Sequence, residues 1–306
     1  MKEKIPFIIL LCFLLCGCND DPVPETTVVP TETVLTGWQT ENAQRIYILD
    51  DGSKATGIIT LDGDIYCFNE NGYMHTGWLE QDGKTYYFQA DGTAAVGEAV
   101  IDGATHHFTA TGAKVLLVNP WNTIAEDYEP DLVKLDSSIS SKEIYVDRSC
   151  YEALNQMLAD CNQQSPTACV ISGHRSYNYQ AGLYDRKVNS YLEQGYSNAD
   201  AKAAAAKVVA VPGTSEHQLG LAVDIIDTRS WSLTEVQESL PAQKWLMENC
   251  WRYGFILRYP NGTTAVTGII YEPWHYRYVG KELAQALHEA QLPLEQYLQN
   301  ITDKKS

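Results

Sequence analysis

The stretch Ser215-Glu-His-Gln-Leu-Gly-Leu-Ala-Val-Asp224 decides how the second half of this 306-residue chain is interpreted. It runs into an apolar segment over 221–226 that predicts a strand, and Asp224 interrupts that segment. A carboxylate in an apolar strand is costly unless a metal ion or another cation pairs with it. Gly220 allows a turn that brings His217 back beside Asp224. The stretch therefore predicts a site where an imidazole and a carboxylate meet.

Two further segments of the same half carry a similar density of reactive groups. They are Ser172-Gly-His-Arg-Ser-Tyr-Asn-Tyr-Gln180 and Glu272-Pro-Trp-His-Tyr-Arg-Tyr278. A catalytic zinc site takes three protein ligands from His, Asp or Glu and leaves a position open for water. His217, Asp224 and His275 supply that number and mixture. Zinc is therefore the predicted cofactor.

Two charged residues near these ligands are candidates for the chemistry itself. Glu272 lies three residues before His275, and a bend at Pro273 can direct both side chains into one cavity. A Glu beside the water of a zinc site is the usual general base. Arg175 offers a fixed cation for a carbonyl oxygen or a developing oxyanion. The alternatives are a salt bridge from Glu272 to Arg277 and a structural ion pair for Arg175.

Together the three motifs resemble the VanY-type D-alanyl-D-alanine carboxypeptidases of peptidase family M15B. The resemblance covers residues 116–290. It implies an α+β zinc peptidase domain of the Hedgehog and D,D-peptidase type, with a small antiparallel sheet and helices. It also implies roles for five residues, with zinc bound by His217, Asp224 and His275, Glu272 as general base and acid, and Arg175 stabilising the tetrahedral intermediate.

The same resemblance implies an activity, the removal of the terminal D-Ala from peptidoglycan stem peptides, and it puts Ser215 and Gln180 near the bound peptide. His174 stands where the family often has Tyr, and we expect it to line the cleft without binding metal. Three alternatives stay open: L,D-carboxypeptidase action on tetrapeptide stems, endopeptidase cleavage of a cross-link, and a non-catalytic wall-binding protein. The choice between D,D- and L,D-carboxypeptidase action depends on the pocket shape around one methyl group and on the stereochemistry of the penultimate residue of the substrate.

Outside these motifs, the pattern of the C-terminal domain (116–306) indicates a mixed α and β order around one small sheet. Ser149 followed by Glu152 matches a capping box, and a helical apolar face follows it. Further helices are predicted over 178–193, 198–210, 241–254 and 281–290. Strands are predicted over 168–172, 221–226 and 267–271.

A 20-residue repeat precedes this domain over residues 36–115, which we call the repeat region. Glycines recur in phase, as in Gly37, Gly57, Gly77 and Gly97, and aromatic clusters lie between them. Asp-Gly and Asn-Gly dipeptides recur six times and favour tight hairpin turns. One hairpin cannot bury its own face, so the pattern predicts a solenoid of about four stacked β-hairpins.

The repeat region resembles the choline- and glucan-binding repeats of surface proteins, although only Trp38 and Trp78 fill the Gly-Trp position of that pattern. A quaternary ammonium ion needs an aromatic cage, and most cages here are incomplete. Residues 36–112 carry 11 acidic and 3 basic residues, which disfavours anionic teichoic acid. Two interpretations stay open: binding of cell-wall glycan or choline, and a spacer whose aromatic residues serve hairpin packing.

The first 18 residues predict export. Lys2 and Lys4 precede an apolar run too short to span a bilayer, and the run ends in Leu15-Cys-Gly-Cys18. This end resembles the lipobox of bacterial lipoproteins, which implies a lipid on Cys18 and a place on the outer face of the cytoplasmic membrane, associated with cell wall. A plain signal or an uncleaved helix is the alternative. Residues 19–35, rich in Pro, Thr and acids, predict an extended tether.

Charge and cysteine content bear on possible partners, on the type of metal site and on disulfides. The formal charge of −17 argues against a nucleic-acid partner held by a basic surface. No Cys-x-x-C pair occurs among the five cysteines beyond the leader, which disfavours a cysteine zinc site. Export permits a disulfide, with Cys161 and Cys169 or Cys150 and Cys250 as candidate pairs, and buried free thiols fit equally well.

Overall fold

The computed structural model of the chain describes residues 35–165 and 167–305. The predicted leader with Cys18, and the tether up to residue 34, lie outside the described residues. Among the helices of the described part, none is both long enough and apolar enough to cross a membrane.

The repeat region consists of four antiparallel β-hairpins joined in series. They pair β1 (Gly37–Glu41) with β2 (Gln44–Ile48), β3 (Gly57–Leu61) with β4 (Asp64–Phe68), β5 (Gly77–Gln81) with β6 (Lys84–Phe88), and β7 (Gly97–Ile101) with β8 (Ala104–Phe108). A short strand, β9 (Lys114–Val115), adds to β8. The predicted hairpin solenoid is therefore confirmed.

The Asp-Gly and Asn-Gly dipeptides have two different roles in this region. Those at 62–63, 82–83 and 102–103 close hairpins, and both central residues have positive φ, as a type I′ turn requires. Those at 51–52, 71–72 and 91–92 lie in the turns between hairpins instead. There the glycine N–H donates to the carbonyl three residues earlier, at 2.9 Å from Gly52 to Leu49. Only half of the predicted hairpin turns are hairpin turns.

The C-terminal domain is built on a four-stranded antiparallel sheet. Its strands are β12 (Ala168–Ser172), β13 (Ala222–Asp227), β14 (Phe255–Leu257) and β15 (His275–Tyr278), in the spatial order β12-β13-β15-β14. A separate pair, β10 (Leu132–Lys134) and β11 (Tyr145–Asp147), precedes it. The helices are α1 (Arg148–Gln164), α2 (Tyr177–Glu193), α3 (Asn198–Val208), α4 (Pro241–Asn249), α5 (Thr264–Thr267), α6 (Lys281–Ala290) and α7 (Leu294–Lys305). Three 3₁₀ turns span Glu216–Leu219, Glu235–Ser239 and Cys250–Tyr253.

The core of this domain lies between α1 and the sheet. Leu154 and Leu158 of α1 pack in one fully buried cluster with Val223 and Ile225 of β13 and Tyr276 of β15. Burial of each such aliphatic side chain contributes roughly 1.5–3 kcal/mol. The two strands that carry Asp224 and His275 are therefore held by the largest apolar cluster of the described residues.

Two local predictions are wrong. The helix α1 begins at Arg148, and its cap is Asp147, whose carboxylate accepts the Ser149 N–H at 2.9 Å. The segment 267–271 is not a strand. Gly268 takes a left-handed φ of 81° after α5, and the Pro120 ring lies 2.6 Å from the place a Cβ would occupy, so the chain turns there instead of extending.

The five cysteines beyond the leader are free thiols, so neither candidate disulfide forms. Cys150, Cys161 and Cys250 are buried in the core around α1. Burial raises the pKa of each of these three thiols to about 12. They behave as small apolar core residues.

Helix α7 joins the C-terminal domain to the repeat region. Its Thr302 lies against Gly97 at the start of β7, and the Thr302 Oγ1 accepts the N–H of Glu98 at 2.8 Å. A second contact joins the same two parts: the Lys84 ammonium of β6 lies 2.7 Å from the Glu282 carboxylate of α6. The last hairpin is thus docked on the domain that contains the reactive motifs.

Candidate active site

His217, Asp224 and His275 converge on one point. Asp224 of β13 and His275 of β15 are register partners in the sheet, and His217 lies on the 3₁₀ turn just before β13. The Asp224 Oδ1 is 3.2 Å from His275 Nδ1 and 3.4 Å from His217 Nε2. All three candidate ligand atoms lie within 4.8 Å of one another, and all three residues are buried.

These atoms fit a divalent metal ion. Ligand atoms about 2.0–2.1 Å from a tetrahedral zinc ion stand about 3.3 Å apart, close to both measured contacts. The His217 Nε2 and Asp224 Oδ1 have no hydrogen-bond partner among the described residues, and each orphaned buried polar atom costs about 1–3 kcal/mol. The His217 Nδ1 lies 2.7 Å from the carbonyl of Gly173. Its N–H donates there, which leaves the Nε2 lone pair for a cation.

The local sequence explains why His217 returns to the sheet. The 3₁₀ turn ends at Gly220, which has a left-handed φ of 72°. A Cβ at this position would lie 2.8 Å from the backbone nitrogen of Asp147, whose N–H donates to the Gly220 carbonyl at 2.9 Å. Only glycine allows both the φ and this close approach.

Charge and burial keep the ligand groups in their metal-binding forms. Burial by itself raises the pKa of the Asp224 carboxyl, but His217 and Arg175 together hold that pKa well below its usual range. Burial and then the Arg175 charge lower the pKa of His217 to about 4. A carboxylate and a neutral imidazole are the forms that bind metal.

Glu272 lies at the edge of this cluster. Its Oε2 is 3.5 Å from His275 Nδ1, and its backbone N–H donates to the Tyr259 carbonyl at 3.1 Å. Burial, followed by the negative charge of Asp224, raises the pKa of the Glu272 carboxyl well above its usual range. The considered salt bridge to Arg277 is not formed in the described part of the chain, because Arg277 lies 2.8 Å from Glu216 instead.

Arg175 is held rigidly beside Asp224. Its Nη2 donates to the Asp224 Oδ2, and its Nε donates to the Ser172 hydroxyl at 2.9 Å. Its backbone N–H donates to the His217 carbonyl at 3.1 Å. The ion pair considered for Arg175 is therefore present, and it fixes the plane of the guanidinium next to a predicted ligand.

The remaining predicted residues lie around this cluster without joining it. Gln180 of α2 is buried, and its Nε2 donates to the Ala210 carbonyl at 2.8 Å while its Oε1 has no partner among the described residues. Ser215 is buried directly before the 3₁₀ turn. His174 is partly buried, which lowers the pKa of its imidazole. In the described chain it does not belong to the three residues that lie close enough to share a metal ion.

A buried charge network beside the cluster was not predicted. The fully buried Arg258 donates from Nε to Glu216 and from Nη1 to Glu295, each at 2.9 Å, and Arg277 contacts the same Glu216. Glu216 adjoins His217, and Arg277 lies two residues after His275. The sequence carried one signal for this network: a negative Glu216 lies beside the ligand His217, and a positive Arg277 lies near the ligand His275.

Comparisons with known proteins identify the family. A family model described as VanY, D-alanyl-D-alanine carboxypeptidase, matches residues 143–281. The putative carboxypeptidase YodJ of Bacillus subtilis is 36% identical over 191 residues, which cover 60% of this chain and 67% of that protein. The chain belongs to the VanY family. The family predicted from the three motifs is thereby confirmed.

Other VanY-type relatives extend the comparison. A D-alanyl-D-alanine carboxypeptidase of Enterococcus faecalis is 42% identical over 60% of this chain, and the match spans 65% of that relative, just under two thirds of its length. The crystal structure of VanYB in complex with D-alanine-D-alanine is 41% identical, with a TM-score of 0.53 over 60% of this chain and 96% of that one. A mutant of a vancomycin-resistance D,D-pentapeptidase VanY, 42% identical, was crystallised with Zn(II). The zinc peptidase fold is confirmed.

Two further matches bear on specificity and on the repeat region. The structure of the LD-carboxypeptidase LdcB is 34% identical, with a TM-score of 0.54 over 60% of this chain and 85% of that one. A choline-binding repeat model matches residues 55–98. The repeat resemblance is confirmed as well.

Proposed function

We propose that this chain is a zinc-dependent D,D-carboxypeptidase that removes the terminal D-Ala from peptidoglycan stem peptides. The observation that carries the proposal is the convergence of three buried ligand atoms with a fourth residue, the acid Glu272, 3.5 Å from one of them. The relatives named as D-alanyl-D-alanine carboxypeptidases support the substrate class.

His217, Asp224 and His275 would hold the ion. Zinc bound there would supply a Lewis acid that polarises the scissile carbonyl and acidifies the attacking water. Glu272 takes a proton from that water and passes it to the leaving amine of D-Ala. Burial raises the pKa of its carboxyl above the ordinary value, and this is the direction that favours a general base, which works best when its pKa is near the operating pH.

Arg175 stabilises the negative charge that develops on the carbonyl oxygen. A guanidinium has five N–H donors, and the contacts to Asp224 and Ser172 use two of them. The other donors belong to a plane that these contacts already fix, so little reorganisation is needed when the oxyanion forms. Ser215 and Gln180 would contact the peptide. The Gln180 Oε1, which has no partner among the described residues, is the atom suited to accept from a peptide N–H.

L,D-carboxypeptidase action on tetrapeptide stems is the second candidate. It is favoured by the similarity to LdcB, whose TM-score of 0.54 matches the 0.53 of VanYB. A non-catalytic wall-binding role is disfavoured, because a buried acid with a raised pKa beside the ligand cluster has a cost that wall binding does not require.

The test compares the wild-type protein with Glu272→Gln on synthetic pentapeptide and tetrapeptide stems. We expect D-Ala release from the pentapeptide, reduced about 10²–10⁴-fold in the variant, because general acid–base catalysis contributes that factor. Glu238→Gln is the matched control, since Glu238 is exposed and its carboxylate accepts from the Tyr271 hydroxyl at 2.9 Å, away from the ligand cluster. Equal release by both variants, or release that resists chelation, would contradict the mechanism, and release from the tetrapeptide alone would select the second candidate.

The wall location is a separate part of the proposal. A lipid on Cys18 would keep the enzyme at the outer face of the membrane, and the repeat region would contact the wall through glycan or choline. The match of residues 55–98 to a choline-binding repeat supports a wall ligand. Cys18→Ala should release the protein from the membrane fraction, and a variant that stays there would contradict the anchor.

A further inference from the structure

Two groups of rings in the repeat region are related by a shift of 40 residues. Cluster A contains Trp38, Tyr47, Tyr66 and Phe68, and cluster B contains Trp78, Tyr87, His106 and Phe108. In cluster A the Trp ring is 5.3 and 4.9 Å from the two Tyr rings, both edge to face. In cluster B the corresponding distances, to Tyr and His, are 5.0 and 5.1 Å. Such rings present electron-rich faces that attract a cation.

Cluster A already contains a cation from the same chain. The Arg45 guanidinium carbon lies 3.9 Å from the centroid of the Trp38 ring. The Arg45 Nη1 also donates to the backbone carbonyl of Asp91 at 3.1 Å, and Asp91 follows the third hairpin. The guanidinium is therefore held on the ring face by stacking and by a hydrogen bond from a different hairpin.

Cluster B also contains a cation from the same chain, but this residue does not stand 40 residues from Arg45. The Lys114 ammonium of β9 lies 5.0 Å from the centroid of the Trp78 ring. A shift of 40 residues carries Arg45 to Thr85, and the reverse shift carries Lys114 to Met74. Two unrelated positions of the chain thus supply the same kind of group to equivalent clusters, so the occupation does not follow from the repeat pattern.

We propose that Arg45 and Lys114 are built-in occupants of the two clusters, and that a quaternary ammonium ion binds only after displacing them. This inference concerns the repeat region alone and does not depend on the peptidase proposal. Loss of the ring contact and of the hydrogen bond should weaken binding to cluster A by roughly ten- to fifty-fold. Within the described residues the Lys114 ammonium makes only the ring contact, at a longer distance, so its displacement should weaken binding roughly two- to five-fold.

The test is a titration of the full chain with choline chloride, followed by calorimetry and by Trp fluorescence. Arg45→Ala should lower the half-saturating choline concentration of cluster A at least about ten-fold relative to the wild type, and Lys114→Ala should lower that of cluster B by a smaller factor. Arg45→Gln removes the charge but keeps most of the side-chain length, and we expect the same direction of change if Arg45→Ala folds poorly. Adding Trp38→Leu to Arg45→Ala should abolish the gain.

Lys54→Ala is the matched control. Lys54 lies over the Tyr73 ring at 5.3 Å, outside both clusters, and pairs with Glu41, so its removal should leave choline binding as in the wild type. Wild-type binding as tight as that of folded Arg45→Ala and Arg45→Gln would overturn the proposal. So would a gain in Lys54→Ala equal to that in Arg45→Ala.

Discussion

The two halves of this chain both contain groups that attract a cation, and they differ in where the cation comes from. In the C-terminal domain the groups are buried lone pairs of His217 and Asp224, which have no hydrogen-bond partner in the described chain. In the repeat region they are aromatic clusters in which the Trp38 and Trp78 rings are partly exposed, and Arg45 lies on Trp38. A buried lone pair needs a strongly held ion, whereas an exposed ring is satisfied by a weak contact with a side chain. A motif therefore identifies a cation site, but only the surrounding contacts reveal its occupant.

The largest effect should come from removing the charge that an external ion needs. Asp224→Asn replaces the carboxylate shared by both imidazoles and leaves Arg175 without its partner. We expect bound zinc, measured by mass spectrometry of metals after dialysis, to fall from about one per chain to near zero. D-Ala release should fall to background.

Asp227→Asn in the same strand is the control for that change. Asp227 is also fully buried, but its oxygens accept from Arg229 and from the Ala242 N–H. This variant should lose some stability and keep its zinc. Equal zinc loss in the two variants would mean that Asp224 acts through folding and not as a ligand.

A second test concerns the buried ion pairs of the C-terminal domain, in which each charge is neutralised by a side chain of the same domain. The carboxyl of Glu216 is fully buried, which raises its pKa, yet Arg258 and Arg277 hold that pKa below its usual value. Arg258→Met leaves Glu216 with one partner and removes the pair to Glu295, and breaking a buried pair costs about 3–5 kcal/mol. The midpoint of thermal unfolding should fall by roughly 6–20 °C.

Arg148→Met is the matched control for this substitution. Arg148 pairs with Asp131 at 2.7 Å, but both side chains are more than 60% exposed, so water and salt screen the pair and its loss should barely change the midpoint. A drop in midpoint as small for Arg258→Met as for Arg148→Met would contradict the structural role of the buried network.

The sequence predicted most of the fold where a local signal was strong. The structure has the expected helix over Lys281–Ala290 and four hairpins, three of which turn at glycines of one series. Strand β14 and helix α7 were not predicted. The three apolar residues of β14 are too few to show a period, and the pairing that makes them a strand is with β15, about 20 residues further on.

The candidate site divides in the same way. The three motifs named the groups that now lie together, because residue type and order alone indicate a metal cluster. They could not show that Arg258 and Glu295, from outside the motifs, close a charge network beside His217. Nor could the repeat pattern show that Arg45 lies on Trp38. The two are a diagonal pair of the first hairpin, but the guanidinium is held there by the Asp91 carbonyl, which follows the third hairpin. Contacts between distant segments are fixed by packing, which a single sequence does not display.

The smallest effect should appear at the joint between the two halves, where Lys84 of the repeat region meets Glu282 of α6 at 2.7 Å. Both side chains are about half exposed, so water and salt screen the pair. A double-mutant cycle of Lys84→Ala and Glu282→Ala, measured by thermal unfolding, should give a coupling energy of about 0–1 kcal/mol that declines as salt is added. The joint instead depends on the α7 contact at Gly97, where a Cβ would lie 2.6 Å from Thr302. A salt-insensitive coupling well above 1 kcal/mol would mean that the ion pair, and not this backbone contact, holds the two halves together.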